Sequence, residues 1–170
     1  MIHTPLIGQL TTNFHSSEFM CNDPLGTIVP GYYTSNMVYL AVQLQKIRDF
    51  LDLQVLLIHS AFRTKTWNKN VGGAENSNHL TCMAADISSI SISPQMLYLA
   101  IREMIKLNLL PDGELIQYPT FVHYSPSFDW KHLPEQAITL PNASLFSYPK
   151  HRFNAIISTQ KFNPKKYVNK

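Results

Sequence analysis

Between Gly72 and Ser88 the chain reads GGAENSNHLTCMAADIS, and this stretch restricts the possible folds more than any other. Paired glycines followed by small polar residues suit a tight loop, because glycine adopts torsions closed to other residues and Asn or Ser can bond back to its own backbone. The small residues of AADIS suit a closely packed strand. His79 ends the loop and Asp86 stands on the strand, so the fold has to bring an imidazole and a carboxylate near each other. Such a pair is an ordinary hydrogen-bonded couple in many proteins. It is also two of the ligand types that zinc takes at neutral pH, and a catalytic zinc needs a third protein ligand and an open position.

The surrounding sequence supplies regular elements. SNMVYLAVQLQKIRDFL places Met37, Leu40, Ala41, Leu44, Ile47 and Leu51 at helical spacing after Ser35 as an N-cap, which predicts an amphipathic helix. QVLLIHS predicts a buried strand ending at His59 and Ser60. SPQMLYLAIREMIKLNLL predicts a second helix, capped by Ser93, with Pro94 in its first turn, running to about Leu109. After the turn at PDG, ELIQY and TFVHY predict two strands of a hairpin interrupted by Pro119. Alternation along TFVHY turns Val122 and His123 to opposite faces, which makes His123 the natural third ligand.

At 170 residues and 45% hydrophobic content, the chain can bury one sizeable core, and global disorder is excluded. No stretch approaches the roughly 20 apolar residues that a membrane-spanning helix needs, and the N-terminus lacks the basic and apolar regions of a signal peptide. The two cysteines, Cys21 and Cys82, are too few for a disulfide framework and read as two buried free thiols, with a single disulfide as the alternative. The net charge of +3 conceals an asymmetry: Lys150, Arg152, Lys161, Lys165, Lys166 and Lys170 follow Glu135 with no acid among them. Five prolines from Pro126 onward break this region into short pieces. We divide the chain into a domain over residues 1–130 and a Pro-rich basic extension over 131–170. The extension is either a solvated terminus or a contact for an anionic partner.

In detail, IHSAFRTKTWNKNVGGAENSNHLTCMAADIS resembles the zinc D-Ala-D-Ala carboxypeptidase group of metallopeptidases, peptidase M15, especially its phage- and prophage-encoded, endolysin-like branch. It is similar to that family's Ser-Gly-Tyr-Arg stretch, Val-Gly-Gly loop and Ser-x-His-x-x-Gly-x-Ala-x-Asp motif. TFVHYS is likewise similar to the family's Trp-Val-His-Val-Ser strand, and LTTNFHSSEFMCND and QLQKIRDFL extend the likeness over about residues 10–125. The resemblance implies an α+β fold of the D-Ala-D-Ala carboxypeptidase or hedgehog-like kind, with a small, mainly antiparallel sheet carrying a zinc site and helices covering one side. It further implies zinc ligands at His79, Asp86 and His123 and an arginine beside the metal at Arg63.

For amide hydrolysis, Arg63 could share the developing oxyanion charge or grip a substrate carboxylate; its plainer role is a surface salt bridge. Ser60 and Ser77 suit loop or substrate hydrogen bonds better than nucleophilic attack, since neither has an evident adjacent base. Many family members carry an acid three residues before the last histidine ligand, where this chain has Thr120. Glu114, brought back by the hairpin, is the candidate general base, with a solvent-exposed strand residue as the alternative and Asp112 as the weaker substitute. The chain also has Ala61 and Cys82 where the family motifs have glycine. Cys82 is either a small buried side chain or a competing soft ligand. His59 could support the site from behind, and His3, His15, His132 and His151 have no motif support.

The function implied is a zinc-dependent peptidase acting on bacterial peptidoglycan peptides, as a D,D-carboxypeptidase or an endolysin-like endopeptidase. Such a protein would be made in the bacterial cytoplasm and act at the wall after release, or travel as a virion component. The basic extension would then meet wall polymer or a virion protein rather than nucleic acid. The alternatives are a non-catalytic module that kept the fold to bind zinc, wall or virion, and a purely structural scaffold.

Overall fold

A computed structural model describes residues 5–53 and 55–128. The basic extension, and with it the boundary at residue 130, lies outside the described residues, as do His3, His132 and His151. The order is α1 (Thr34–Phe50), β1 (Leu57–Ser60), α2 (Lys65–Asn70), β2 (Ala85–Ser88), α3 (Pro94–Lys106), β3 (Gly113–Gln117) and β4 (Val122–Pro126), with short 3-10 turns between. The four strands form one antiparallel sheet in the order β1-β2-β4-β3. This is the α+β architecture expected.

Alternation divides the sheet. Ala85, Ile87, Val122 and Tyr124 are buried, and Ile58 and Leu115 pack against the same core, which also takes in Leu40, Leu44 and Ile47 of α1 and Leu97, Ile101 and Met104 of α3. Asp86 and His123, one residue out of phase with these, belong to the opposite face.

Several local expectations are corrected. Helix α1 is not amphipathic: every residue from Met37 to Ile47 is buried, including Gln43, Gln45 and Lys46, so core and chain enclose it on all sides. Its polar residues are accommodated by bonds such as Gln45 Oε1 with Thr11 Oγ1 (2.8 Å) and Lys46 Nζ with Gln43 Oε1 (3.0 Å). Nor does Ser35 cap it. A 3-10 turn over Gly31–Tyr33, closed by Tyr33 N donating to Pro30 O, runs straight into Thr34. Strand β1 is an edge rather than a buried strand, with Leu57 42% exposed, because among the described residues it has only β2 as neighbour. Helix α3 does begin with Ser93 Oγ accepting from Met96 N, but it ends at Lys106. Asn108 takes a left-handed conformation (φ 57°), and Leu109 N donates back to Met104 O, which turns the chain out of the helix. The predicted hairpin is present as β3 and β4.

Among the described residues no helix is long and apolar enough to cross a membrane.

Candidate metal centre

The loop and the strand meet as the Gly72–Ser88 stretch requires. Gly73 N donates to Asn68 O (2.8 Å) and Asn68 Nδ2 donates to Ala74 O (2.8 Å), so the last turn of α2 clamps the glycine loop. A β-carbon at Gly73 would fall 2.1 Å from Asn68 Oδ1, which is why glycine is needed there. Ser77 then caps a 3-10 turn over Asn78–Thr81, and this turn carries His79. His79 O accepts from Arg63 N (2.9 Å), and His79 Nδ1 lies 2.6 Å from Ala61 O, where it can only donate. In the neutral ring this leaves the lone pair on Nε2.

Strand pairing supplies the other groups. Ser60, Asp86, His123 and Ile116 are successive cross-strand partners across all four strands and so share one face. Asp86 Oδ1 lies 2.8 Å from His123 Nδ1 and 3.3 Å from His79 Nε2. One donor atom from each of His79, Asp86 and His123 falls within 4.8 Å of the others, and all three residues are buried. Among the described residues the buried His79 Nε2 has no hydrogen-bond partner, Asp86 Oδ1 at 3.3 Å being close to it but not placed to make one. An orphaned imidazole nitrogen costs stability unless something occupies its lone pair. Donors bound tetrahedrally to zinc at about 2.0–2.2 Å stand roughly 3.3 Å apart, close to the two separations from Asp86 Oδ1, so the donor set suits a metal ion.

Around the trio, Arg63 Nη2 pairs with Asp86 Oδ2 at 2.5 Å while Arg63 Nε donates to Ser60 Oγ at 2.8 Å. Arg63 is thus the partner of a buried carboxylate rather than a surface salt bridge, and it leaves Oδ1 as the oxygen shared by the histidines. Burial works to raise the Asp86 pKa. The contact with His123, the nearby His79 ring and the Arg63 guanidinium outweigh it and hold the carboxyl well below the usual range. Glu114, on the same face as Ile116, places Oε2 3.2 Å from His123 Nε2 while its side chain stays 53% exposed. The hairpin thus sets Glu114 against His123. Asp112 instead accepts from Gly113 N at the turn.

A family model for peptidase M15 matches residues 12–125. The chain belongs to the peptidase M15 family. The match runs from the N-terminal segment into β4 and so spans every residue of this constellation. No curated protein and no solved structure matches the chain.

In this M15 protein Cys82 stands apart from the metal ligands: it is fully buried in the hydrophobic core, and burial pushes its thiol up to about 12. It nevertheless adopts the left-handed conformation (φ 58°) for which the family motif carries glycine. Ser77 caps the turn and does not enter the trio. His59 Nε2 contacts Ser88 Oγ at 2.6 Å, two residues along β2 from Asp86, and its ring lies near Phe121. His15 caps a 3-10 turn over Ser16–Phe19. Sequence reading missed the clamp by Asn68 and the carbonyl of Ala61. The first had a visible signal in the asparagine four residues before the Gly-Gly pair, but the second is a backbone atom that no residue type announces.

Proposed function

We propose that this M15 protein is a zinc-dependent peptidase that hydrolyses peptidoglycan peptides, as a D,D-carboxypeptidase or an endolysin-like endopeptidase. The observation that carries the reading is the unpartnered His79 Nε2 facing Asp86 Oδ1 beside His123 Nδ1, a three-donor set of the kind catalytic zinc uses. His79, Asp86 and His123 would hold the ion. When bound, zinc lowers the pKa of a coordinated water and polarises the scissile carbonyl.

The remaining steps belong to the chain. Ala61 O keeps the His79 proton on Nδ1, so Nε2 stays available as a donor of electrons. Arg63 fixes the orientation of Asp86 through Oδ2 and adds positive charge near the carbonyl oxygen as it becomes anionic. Glu114 steadies His123 through Nε2, and its half-exposed carboxylate accepts a proton from the attacking water and returns it to the leaving amine. That assignment replaces the acid missing at Thr120. Ser77, on a groove wall beside His79, offers the substrate a hydroxyl.

One observation favours a second reading, a binding module that keeps the metal without catalysis: Glu114 contacts the rear nitrogen of His123, where it serves as a supporting carboxylate. The deciding experiment loads the full chain with zinc and digests walls of several bacterial types. Release of D-alanine or of shortened cross-linked muropeptides supports the peptidase. Intact walls across the panel give first place to the binding module. The basic extension after Glu135 is proposed to dock on anionic wall polymer or a virion protein, and truncation after Tyr148 should weaken that association at low salt.

A further inference from the structure

Asn78 Nδ2 donates to Ser125 Oγ (2.8 Å), Ser125 Oγ donates to Met83 O (2.9 Å), and Met83 N donates back to Asn78 O (2.9 Å), which closes a ring of hydrogen bonds beside the metal centre. We propose that this ring is a latch that holds the three donors at metal-binding separation in the metal-free chain, with Asn78 and Ser125 as positioning residues, which depends on the metal-centre reading above.

Position is the first argument. Each member of the ring belongs to a segment that carries one of the donors. Asn78 precedes His79 in its 3-10 turn, and Met83 leads into β2 three residues before Asp86. Ser125 follows His123 by two residues on β4 and so shares its face of the sheet. Strand pairing sets Asp86 against His123, but His79 lies on a turn outside the sheet. Its other ties, from Nδ1 to Ala61 O and from Arg63 N to its own carbonyl, lead to the segment that follows β1. Among the described residues, the hydrogen bond from Asn78 is the one that joins this turn directly to β4.

Chemistry is the second. The ring needs, at position 125, a group that accepts one hydrogen bond and donates another, and a hydroxyl does both. Ser125 is 4% exposed, so a methyl group in its place would leave Met83 O without the donor it has now and little access to water. Because the ring contains no donor atom of the trio, losing it alters the spacing of the donors and not their identity. The effect should therefore be read in metal affinity and in coordination geometry.

The test uses the full chain, Asn78→Ala, Ser125→Ala and the double variant. Each is titrated with zinc against a chromophoric chelator, and the visible spectrum of each cobalt(II) form is recorded, since the absorption of cobalt follows the geometry of its donors. Either single variant should bind zinc about tenfold more weakly, the lower range for losing a group that supports the ligands. The cobalt bands should change in position and intensity. Both substitutions break the same ring, so the double variant should lose little more than either single. Ser125→Thr keeps the hydroxyl and should restore affinity and spectrum. A merely structural role would lower the melting temperature of the metal-free protein and leave the spectrum of the folded cobalt form as it was. Unchanged zinc affinity with an unaltered spectrum, or fully additive losses, would overturn the latch. Asn78 is exposed, so its replacement carries the test even if Ser125→Ala does not fold. An unsubstituted chain that binds neither metal overturns the metal centre and the latch together. One that binds zinc with the latch effects present, yet cuts no wall, removes the peptidase reading alone.

Discussion

Asp86 and His123 stand directly opposite each other on β2 and β4, and Oδ1 of the first lies 2.8 Å from Nδ1 of the second. The register of one strand pair thus sets two of the three donors, and the loop clamp sets His79. Zinc should bind at close to one per chain and raise the melting temperature. His79→Ala or His123→Ala should abolish most of that binding, since two remaining ligands hold zinc poorly. Metal analysis of protein never exposed to chelator, with melting curves at increasing zinc, checks this; absence of both metal and stabilisation would rule out the site.

Glu114 touches His123 through one carboxylate oxygen, yet half of its side chain is open to solvent. Glu114→Gln keeps the shape and should keep zinc within about tenfold, the lower range for losing a supporting carboxylate. Turnover should fall about 100-fold or more, as expected for loss of a general base. A change confined to KM would assign Glu114 to binding instead.

Asp86 also gives the metal-free protein an acid sensitivity. Its carboxyl is held below the ordinary range in the folded state, so its contribution to stability is complete above the unfolded value of about 3.9 and disappears as pH falls through the folded one. Urea unfolding of the metal-free chain should show stability declining below about pH 4. In Asp86→Asn that part of the decline should be missing, although the variant is less stable at neutral pH because Arg63 loses its partner. Parallel acid profiles for the two proteins would contradict this account.

Gly73→Ala drives a methyl group into Asn68 Oδ1, whose side chain is pinned through Ala74 O. The expected loss is about 1–3 kcal/mol, together with weaker zinc binding, because the displaced loop leads to His79. Adding Asn68→Ala removes the clashing atom, so the pair should be less destabilising than the sum of the singles. Additive denaturant midpoints would show that the contact is not the cause.

Cys82 meets two opposing demands. Its left-handed torsions favour glycine by about 1–2 kcal/mol, whereas its buried sulfur fills core space worth a similar amount. Cys82→Gly should therefore leave stability within about 1 kcal/mol of the natural chain. Cys82→Val, β-branched and larger, should cost more than 2 kcal/mol, since such residues rarely adopt this conformation. Burial that lifts the thiol to about 12 also predicts that the folded protein resists alkylation at Cys82 at pH 8, which mass spectrometry of labelled peptides can check.

The sequence by itself determined the parts that depend on local chemistry. Gly72 and Gly73 marked the loop, Ser93 and Pro94 marked the start of α3, and alternation in TFVHY put His123 on the face opposite Val122. The motifs around His79, Asp86 and His123 were specific enough to identify the M15 family, which the family match supports. Tertiary structure alone decided the rest. Periodicity shows where apolar residues recur but not how many neighbours surround them, so the burial of α1 on all sides, Lys46 included, could not be read from its pattern. QVLLIHS looked like an interior strand because a short apolar run does not reveal whether one strand or two will flank it. Pairing across the sheet likewise decided which oxygen of Asp86 meets the histidines and which meets Arg63, and it carried Glu114 to His123. These contacts join residues 9 to 37 positions apart, and their geometry comes from strand register and packed loops, which no local stretch of sequence encodes.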